Sequence, residues 1–206
     1  MEGCALKNNI VRSRQRLKAG NNMEEKYCAF LRGINVNGIT IKMGALKDAF
    51  IKMGFPDART ILATGNVIFT LAEENHIEGG PTAYIEKVLS QCFGFDAHVI
   101  MRSSGEIQDI SDAAQTMDIP EEYHNYYLLC DDREKLLELM QLFDSVPHEP
   151  SEQFNIYKSG AFWMVPQGST LSSNFGSKVL GNQKYKSVLT SRNMNTIRKI
   201  HKAMTD

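Results

Sequence analysis

Short apolar strands alternate with amphipathic helices through most of the chain after residue 26, and this order restricts the fold. Residues 27–34 are apolar with little polar alternation, which predicts a strand in the centre of a sheet. A Gly-containing loop follows. Met43, Leu46 and Phe50 then recur on one face of a predicted helix that ends at Gly54. The chain therefore begins its folded part with a strand, a polar loop and a helix.

The same alternation continues to about residue 118. Residues 60–71 predict one long strand, and Gly65 in its middle predicts a bulge or a close backbone approach. A helix is predicted to end at Gly94, and residues 95–102 alternate as in a half-exposed strand. Residues 103–106 read Ser-Ser-Gly-Glu, a capping box that predicts the start of a third helix.

The second half repeats the mixture of strands and helices after a polar boundary at residues 118–122. It comprises a strand at 123–130, a helix capped by the acidic pair at 131–132, a hairpin turning at Ser159-Gly160, a short helix near 174–180 and a terminal helix after 190–196. This order favours an α+β plait. A doubly wound nucleotide fold is disfavoured because the sequence has neither six strands suited to a parallel sheet nor a Gly-rich phosphate loop.

The charge distribution separates the first 22 residues from the remainder. They carry five basic side chains and one acidic one, whereas the remainder carries 18 basic and 23 acidic residues. We expect residues 1–22 to be a flexible basic extension, with an organelle-type presequence as the alternative, followed by units at 23–118 and 119–206. The acidic body disfavours a protein held on nucleic acid by phosphate contacts. No apolar run reaches the ~18 residues of a membrane span.

The cysteines and histidines predict no metal site. The four cysteines are widely separated, without a Cys-x-x-Cys pair, and the five histidines are scattered. Buried, reduced thiols in a cytoplasmic protein are the expected arrangement. The sequence identifies no cofactor and no nucleophile with an accompanying base, so neither an enzymatic activity nor a catalytic residue is predicted.

Three motifs, in order, resemble those of the domain-of-unknown-function family 1697. They are LRGINVNG at residues 31–38 with the following Lys42-Met43, TGNVIF at 64–69 and TSRNMNT at 190–196. The family usually has Gly at Asn37, Ser at Thr64 and Trp at Met194, and the last change removes an indole N–H from any ligand contact there. The resemblance implies an α+β protein of two ferredoxin-like units, and it brings no activity with it.

The polar residues of these motifs are the candidate ligand-binding residues. An Arg at the end of a strand can bind a carboxylate or phosphate through two parallel hydrogen bonds, and a Lys before a helix adds a point charge to an anion held there. The Asn residues serve equally as turn formers or as partners for buried groups. The candidates are Arg32, Asn35, Asn37, Lys42, Asn66, Arg192 and Asn193.

Three functions remain open from the sequence. The first is binding of a small anionic ligand, with candidates from all three motifs converging on a cleft between the two units. The second is a nucleic-acid-binding module, which needs exposed aromatic side chains such as Tyr126, Tyr127, Phe162 and Trp163, although their apolar neighbours indicate a core. The third is a protein-interaction scaffold whose polar motifs join the two units. The sequence does not predict an oligomeric state.

Overall fold

The computed structural model of the chain describes residues 24–32, 34, 40–72, 77–180, 182–185 and 187–206. The predicted basic extension and the candidates Asn35 and Asn37 lie outside the described residues. The chain divides into two compact units. Unit 1 runs to Ile107 and includes Ile200–Asp206, and unit 2 is Gln108–Lys199.

Unit 1 contains a four-stranded antiparallel sheet with two helices. Its central strand β1 pairs with both β3 and β4, and the strand order is β2-β3-β1-β4. This βαββαβ order and strand arrangement is that of a ferredoxin-like plait. The elements are β1 Glu24–Leu31, α1 Met43–Lys52, β2 Arg59–Ile61, β3 Asn66–Ala72, α2 Pro81–Phe93 and β4 Val99–Ser103, and α3 Ser104–Gln115 follows.

Unit 2 repeats this topology. Its strand order is β6-β7-β5-β8, with β5 in the central position of β1, so the prediction of two ferredoxin-like α+β units is confirmed. The elements are β5 Tyr123–Leu129, α4 Arg133–Ser145, β6 Gln153–Ile156, β7 Gly160–Pro166, α5 Asn174–Val179, a 3-10 helix Gln183–Tyr185, β8 Thr190–Asn193 and α6 Met194–Thr205.

Each unit has a core between one face of its sheet and its helices. In unit 1 the rings of Phe50 and Phe55 lie 5.4 Å and 4.5 Å from that of Phe69. In unit 2 the rings of Trp163 and Phe175 lie 5.4 Å apart at a steep angle. The opposite sheet faces are also buried, which explains why the central strands show so little polar alternation.

The prediction of a single long strand at residues 60–71 is wrong. The structure divides it into β2 and β3, which pair as a hairpin in which Ile61 lies opposite Asn66. Gly65 therefore lies in the turn and not in a bulge. Leu62 and Gly65 both adopt positive φ angles, of 59° and 71°, which reverse the chain within four residues.

The prediction for the last motif is wrong in part. Residues 190–193 form the edge strand β8, which pairs with β5, and the terminal helix α6 follows it from Met194.

The local capping predictions are confirmed. The backbone N–H of Ser103 donates to Glu106 Oε2 at 2.8 Å, and the N–H of Glu106 donates to Ser103 Oγ at 3.3 Å. Asp132 Oδ1 accepts from the backbone N–H of Lys135 at 3.0 Å and caps α4. These signals are contained within four residues, so the sequence alone suffices to read them.

Candidate functional site

The carboxyl end of β1 is where the first two motifs meet. The backbone N–H of Leu31 donates to Gly65 O at 2.8 Å, and that of Arg32 donates to His98 O at 3.0 Å. Three segments are therefore joined at this edge of the sheet: the end of β1, the β2–β3 turn and the approach to β4. The Arg32 side chain is half-buried there, with its Nε and Nη1 atoms buried.

Gly65 permits this close approach. A Cβ atom at Gly65 would lie 2.9 Å from Ile34 Cγ1 and 3.0 Å from Leu31 Cβ, both closer than carbon atoms pack. Its φ of 71° also favours glycine over any other residue. Leu31 and Ile34 therefore pack directly against the backbone of the second motif at Gly65.

Asn66 holds the same turn together. Its side chain is fully buried, and its Nδ2 group donates to Ile61 O and to Thr64 Oγ1, each at 2.9 Å. An amide nitrogen has two hydrogens, so these two bonds use both of them. The buried amide that the sequence indicated therefore has structural partners within its own hairpin.

Lys42 lies at the start of α1. It occupies the N-cap position, is exposed, and makes no capping hydrogen bond, and the first turn of α1 contains no acidic residue. Because β1 and β2 are both antiparallel to β3, they are parallel to each other, and α1 is the crossover between them. A crossover helix begins at the edge where the first strand ends, so α1 begins at the edge that carries Arg32.

An Asp–His pair that the sequence reasoning missed lies beside Arg32. His98 Nε2 is 3.1 Å from Asp96 Oδ2, and the two side chains are 28% and 88% exposed. The His98 carbonyl is the acceptor for the Arg32 N–H. The only sequence signal was an Asp-x-His spacing just before β4, and its meaning depends on the neighbouring strand.

The two candidates of the third motif lie in unit 2 and form local hydrogen bonds. Arg192 is 8% exposed, and its Nη1 donates to Thr190 Oγ1 and Ser191 O, each at 2.8 Å. Asn193 Oδ1 accepts from the backbone N–H of Asn195 at 2.8 Å, at the start of α6. The structure brings Arg32, Lys42 and Asn66 to one edge of unit 1, and convergence of all candidates on a single cleft stays a prediction.

The corresponding edge of unit 2 has the same backbone geometry and the opposite charge. The N–H of Cys130 donates to Ser159 O at 3.3 Å, as that of Leu31 does to Gly65 O. The next residue is Asp131, where unit 1 has Arg32. The helix that follows, α4, is capped by the side chain of Asp132, whereas Lys42 at the same position of α1 makes no capping hydrogen bond.

The strongest pKa shift of a carboxyl group lies away from both edges. Hydrogen bonds from Lys184, Lys135 and Tyr185 lower the pKa of Glu138 from 4.5 to about 2. The same carboxylate, after burial, helps to raise the pKa of Tyr185 to about 12. This cluster connects α4 to the 3-10 helix and needs no ligand to explain it.

The described residues give little support for a metal site, a membrane span or a nucleic-acid-binding surface. Among them, no three His, Cys, Asp or Glu side chains are grouped to hold a metal ion, and no helix has the length and apolar character to cross a membrane. Tyr127, Phe162 and Trp163 are at most 4% exposed, as their apolar neighbours indicated, and only Tyr126 is half-buried. Nucleic-acid binding would therefore need a surface other than these rings.

Comparison with known proteins agrees with the fold and adds no activity. A family model described as a protein of unknown function, DUF1697, matches residues 24–162. No curated protein matches the chain. The solved structure of a conserved bacterial protein, SP0830 from Streptococcus pneumoniae, is similar with a TM-score of 0.70 and 18% sequence identity, over 89% of this chain and 100% of that one. At this identity the similarity concerns the fold alone.

Proposed function

Because the chain belongs to the DUF1697 family, whose description states no activity, we propose a function from its own residues: it binds a small phosphate- or carboxylate-bearing ligand at the carboxyl end of β1. The observation that carries this proposal is the start of α1, whose N-cap residue Lys42 makes no capping hydrogen bond, at the edge where Arg32 follows β1. In this proposal Arg32 and Lys42 contact the anion, and Gly65 and Asn66 hold the turn beneath them.

Elementary electrostatics favours an anion at this position. The first N–H groups of a helix have no partner within the helix, and the helix dipole places about half a positive charge there. The guanidinium of Arg32 can donate a charge-assisted hydrogen bond to a carboxylate or phosphate, and the ammonium of Lys42 adds a point charge. No acidic side chain in the first turn of α1 competes for these groups.

Unit 2 supplies an internal comparison that supports the proposal. Its equivalent strand end carries Asp131, and the N–H of Lys135 is already bonded by Asp132. An anion there would meet carboxylates in place of cations. The proposed site therefore depends on side chains that only unit 1 carries, and not on the ferredoxin-like fold that both units share.

The test is a thermal-shift screen of the full chain against nucleotides, sugar phosphates and dicarboxylates, repeated with Arg32→Ala and Lys42→Ala. A ligand at 100 times its dissociation constant adds about 2.7 kcal/mol, which raises Tm by roughly 5–10 °C for a chain of this size. We expect both variants to lose most of this shift. The matched controls are Arg133→Ala in unit 2 and Lys47→Ala on the exposed side of α1, and both should retain it.

The same screen also tests the wider hypothesis from the sequence, in which the third motif contributes to the anion site. If Arg192→Ala or Asn193→Ala also lowers the affinity without lowering the Tm of the free protein, the third motif contributes to the site. If no anion raises Tm, or if Arg133→Ala abolishes the shift as completely as Arg32→Ala does, anion binding at β1 is wrong.

A further inference from the structure

An open pocket of about 470 Å³ lies within unit 2, between the segment after α4 and the start of α5. This volume is in the range of small-molecule sites. The segment after α4 contributes His148, Glu149 and Glu152 to its lining, and the β7–α5 connection contributes Ser169 and Ser172. None of the three sequence motifs contributes a residue to this pocket.

Glu152 is the unusual residue of the pocket because it is a carboxylic acid that is only 5% exposed. Its Oε1 accepts a hydrogen bond from Trp163 Nε1 at 3.1 Å, and the indole itself is fully buried. An ionised carboxylate can accept about four hydrogen bonds, and burying its charge without a cation is costly. The indole N–H satisfies one of these positions and supplies no positive charge.

The pocket contains no permanently charged cation to balance this carboxylate. Its lining includes neither Lys nor Arg, and none of the ion pairs in the described ranges involves Glu152. The second acidic residue of the lining, Glu149, is exposed to solvent and adds negative charge. The His148 ring is stacked on Phe143 with centroids 4.4 Å apart, and its Nδ1 lies 3.2 Å from Glu149 O.

We propose that this pocket binds a small organic cation, an alkylammonium or guanidinium compound, with the positive group on the Glu152 carboxylate. The exposed Glu149 attracts the cation, and the Ser169 and Ser172 hydroxyls accept or donate further hydrogen bonds. This site is separate from the anion site proposed in unit 1 and selects the opposite charge. A negative result for one site would therefore not count against the proposal for the other.

The single tryptophan of the chain allows cation binding in this pocket to be measured directly. Because the Trp163 indole N–H is bonded to the Glu152 carboxylate, a cation on that carboxylate should move the only indole cross-peak in a ¹H–¹⁵N NMR spectrum. Titrations with agmatine and ethanolamine at about pH 8, where imidazoles are ordinarily neutral, test this. We expect a saturable shift with both amines, and none with glycerol or inorganic phosphate.

Three variants assign the effect to the pocket. Glu152→Gln keeps an oxygen that can accept from Trp163 but removes the charge, and it should weaken agmatine binding on the order of tenfold or more. Ser172→Phe leaves Glu152 in place and fills the pocket, so it should also weaken binding. Glu134→Gln, the same change at an exposed position of α4, should bind agmatine as the unchanged protein does.

Several outcomes would overturn the proposal. One is an indole cross-peak that does not move at a saturating excess of either amine. Another is an equal shift with glycerol, since the selectivity would then not be for charge. A third is unchanged agmatine affinity in Glu152→Gln when the rest of its ¹H–¹⁵N spectrum is that of the folded protein, which would show that the folded pocket does not use the carboxylate.

Discussion

The close approach at Gly65 gives the sharpest quantitative test of how the first two motifs are joined. Replacing Gly65 by Ala forces a Cβ atom against Ile34 and Leu31 and places a side chain at a φ of 71°. Gly94 provides the matched control. Its φ is 70°, and a Cβ atom there would meet nothing within 4 Å.

The difference between the two substitutions isolates the packing contribution. A left-handed residue with a side chain costs about 1–2 kcal/mol, and alanine regains about 0.4–1 kcal/mol by restricting the unfolded chain. We therefore expect Gly94→Ala to lower the free energy of unfolding by about 1 kcal/mol. Overpacking adds about 1–3 kcal/mol, so Gly65→Ala should lower it by about 2–4 kcal/mol.

Urea unfolding followed by far-ultraviolet circular dichroism measures both values, because this signal reports on the helices and strands of unit 1 directly, whereas the single tryptophan, Trp163, lies in unit 2. A double variant then locates the clash. In an Ile34→Ala background the cost of Gly65→Ala should fall toward that of Gly94→Ala, since the main obstructing side chain is gone. Equal losses for Gly65→Ala and Gly94→Ala in the unaltered background would refute the close-approach explanation.

Two further perturbations test the local electrostatics. The hydrogen bond from Lys184 is the main reason that the pKa of Glu138 is lowered from 4.5 to about 2, so the stability it contributes is present above about pH 4.5 and is lost as the pH falls toward 2. Acid-unfolding curves of Glu138→Gln should therefore decline less steeply over that range, and an unchanged slope would contradict the assignment. Ser103→Ala removes the acceptor for the Glu106 N–H and should cost about 1 kcal/mol in urea unfolding, whereas Ser104→Ala, which leaves the capping box intact, should cost clearly less.

The α+β class and the helix ends could be predicted because their signals are local. The Ser103–Glu106 capping box is complete within four residues, and Gly94 ends α2 in a left-handed conformation whose only requirement is a missing side chain. The central position of β1 was also readable, because burial on both faces removes polar alternation over the length of one strand.

The β2–β3 hairpin was missed because its turn violates the usual turn chemistry. Leu62 adopts a φ of 59°, although β-turns at positive φ normally carry Gly, Asn or Asp. Apolar residues therefore continue through the reversal, and the pattern is that of one long strand. Asn66 stabilises this turn through bonds to Ile61 and Thr64, and the sequence could indicate only that a buried amide needs partners.

Strand β8 was missed for a different reason. Its residues Thr190–Asn193 are all polar, and four residues carry no periodicity of their own. They form a strand because β5 offers an edge with which they pair, from Leu129 opposite Thr190 to Tyr126 opposite Asn193. That pairing is a tertiary interaction between segments some 60 residues apart in the chain, and no local propensity encodes it.

The repeated topology separates two kinds of arginine among the candidates. Arg192 of β8 is matched by Arg102 of β4. Both are at most 8% exposed, and both donate from Nη1 to the carbonyl of the preceding residue, at 2.8 Å and 2.7 Å. Arg102 belongs to none of the three motifs, so this shared geometry follows from how the last strand of each unit ends. Asn193 likewise occupies the position of the capping residue Ser103.

Arg32 has no such counterpart, because unit 2 carries Asp131 at the equivalent strand end. A residue required by the plait itself would be expected in both units, as the buried arginines of β4 and β8 are. The positive charge at Arg32 is therefore specific to unit 1, and so is a helix beside it whose N-cap residue, Lys42, makes no capping hydrogen bond. This asymmetry makes Arg32 and Lys42 the decisive positions for testing the proposed anion binding, and it makes Asp131 an internal reference at which the same backbone should bind no anion.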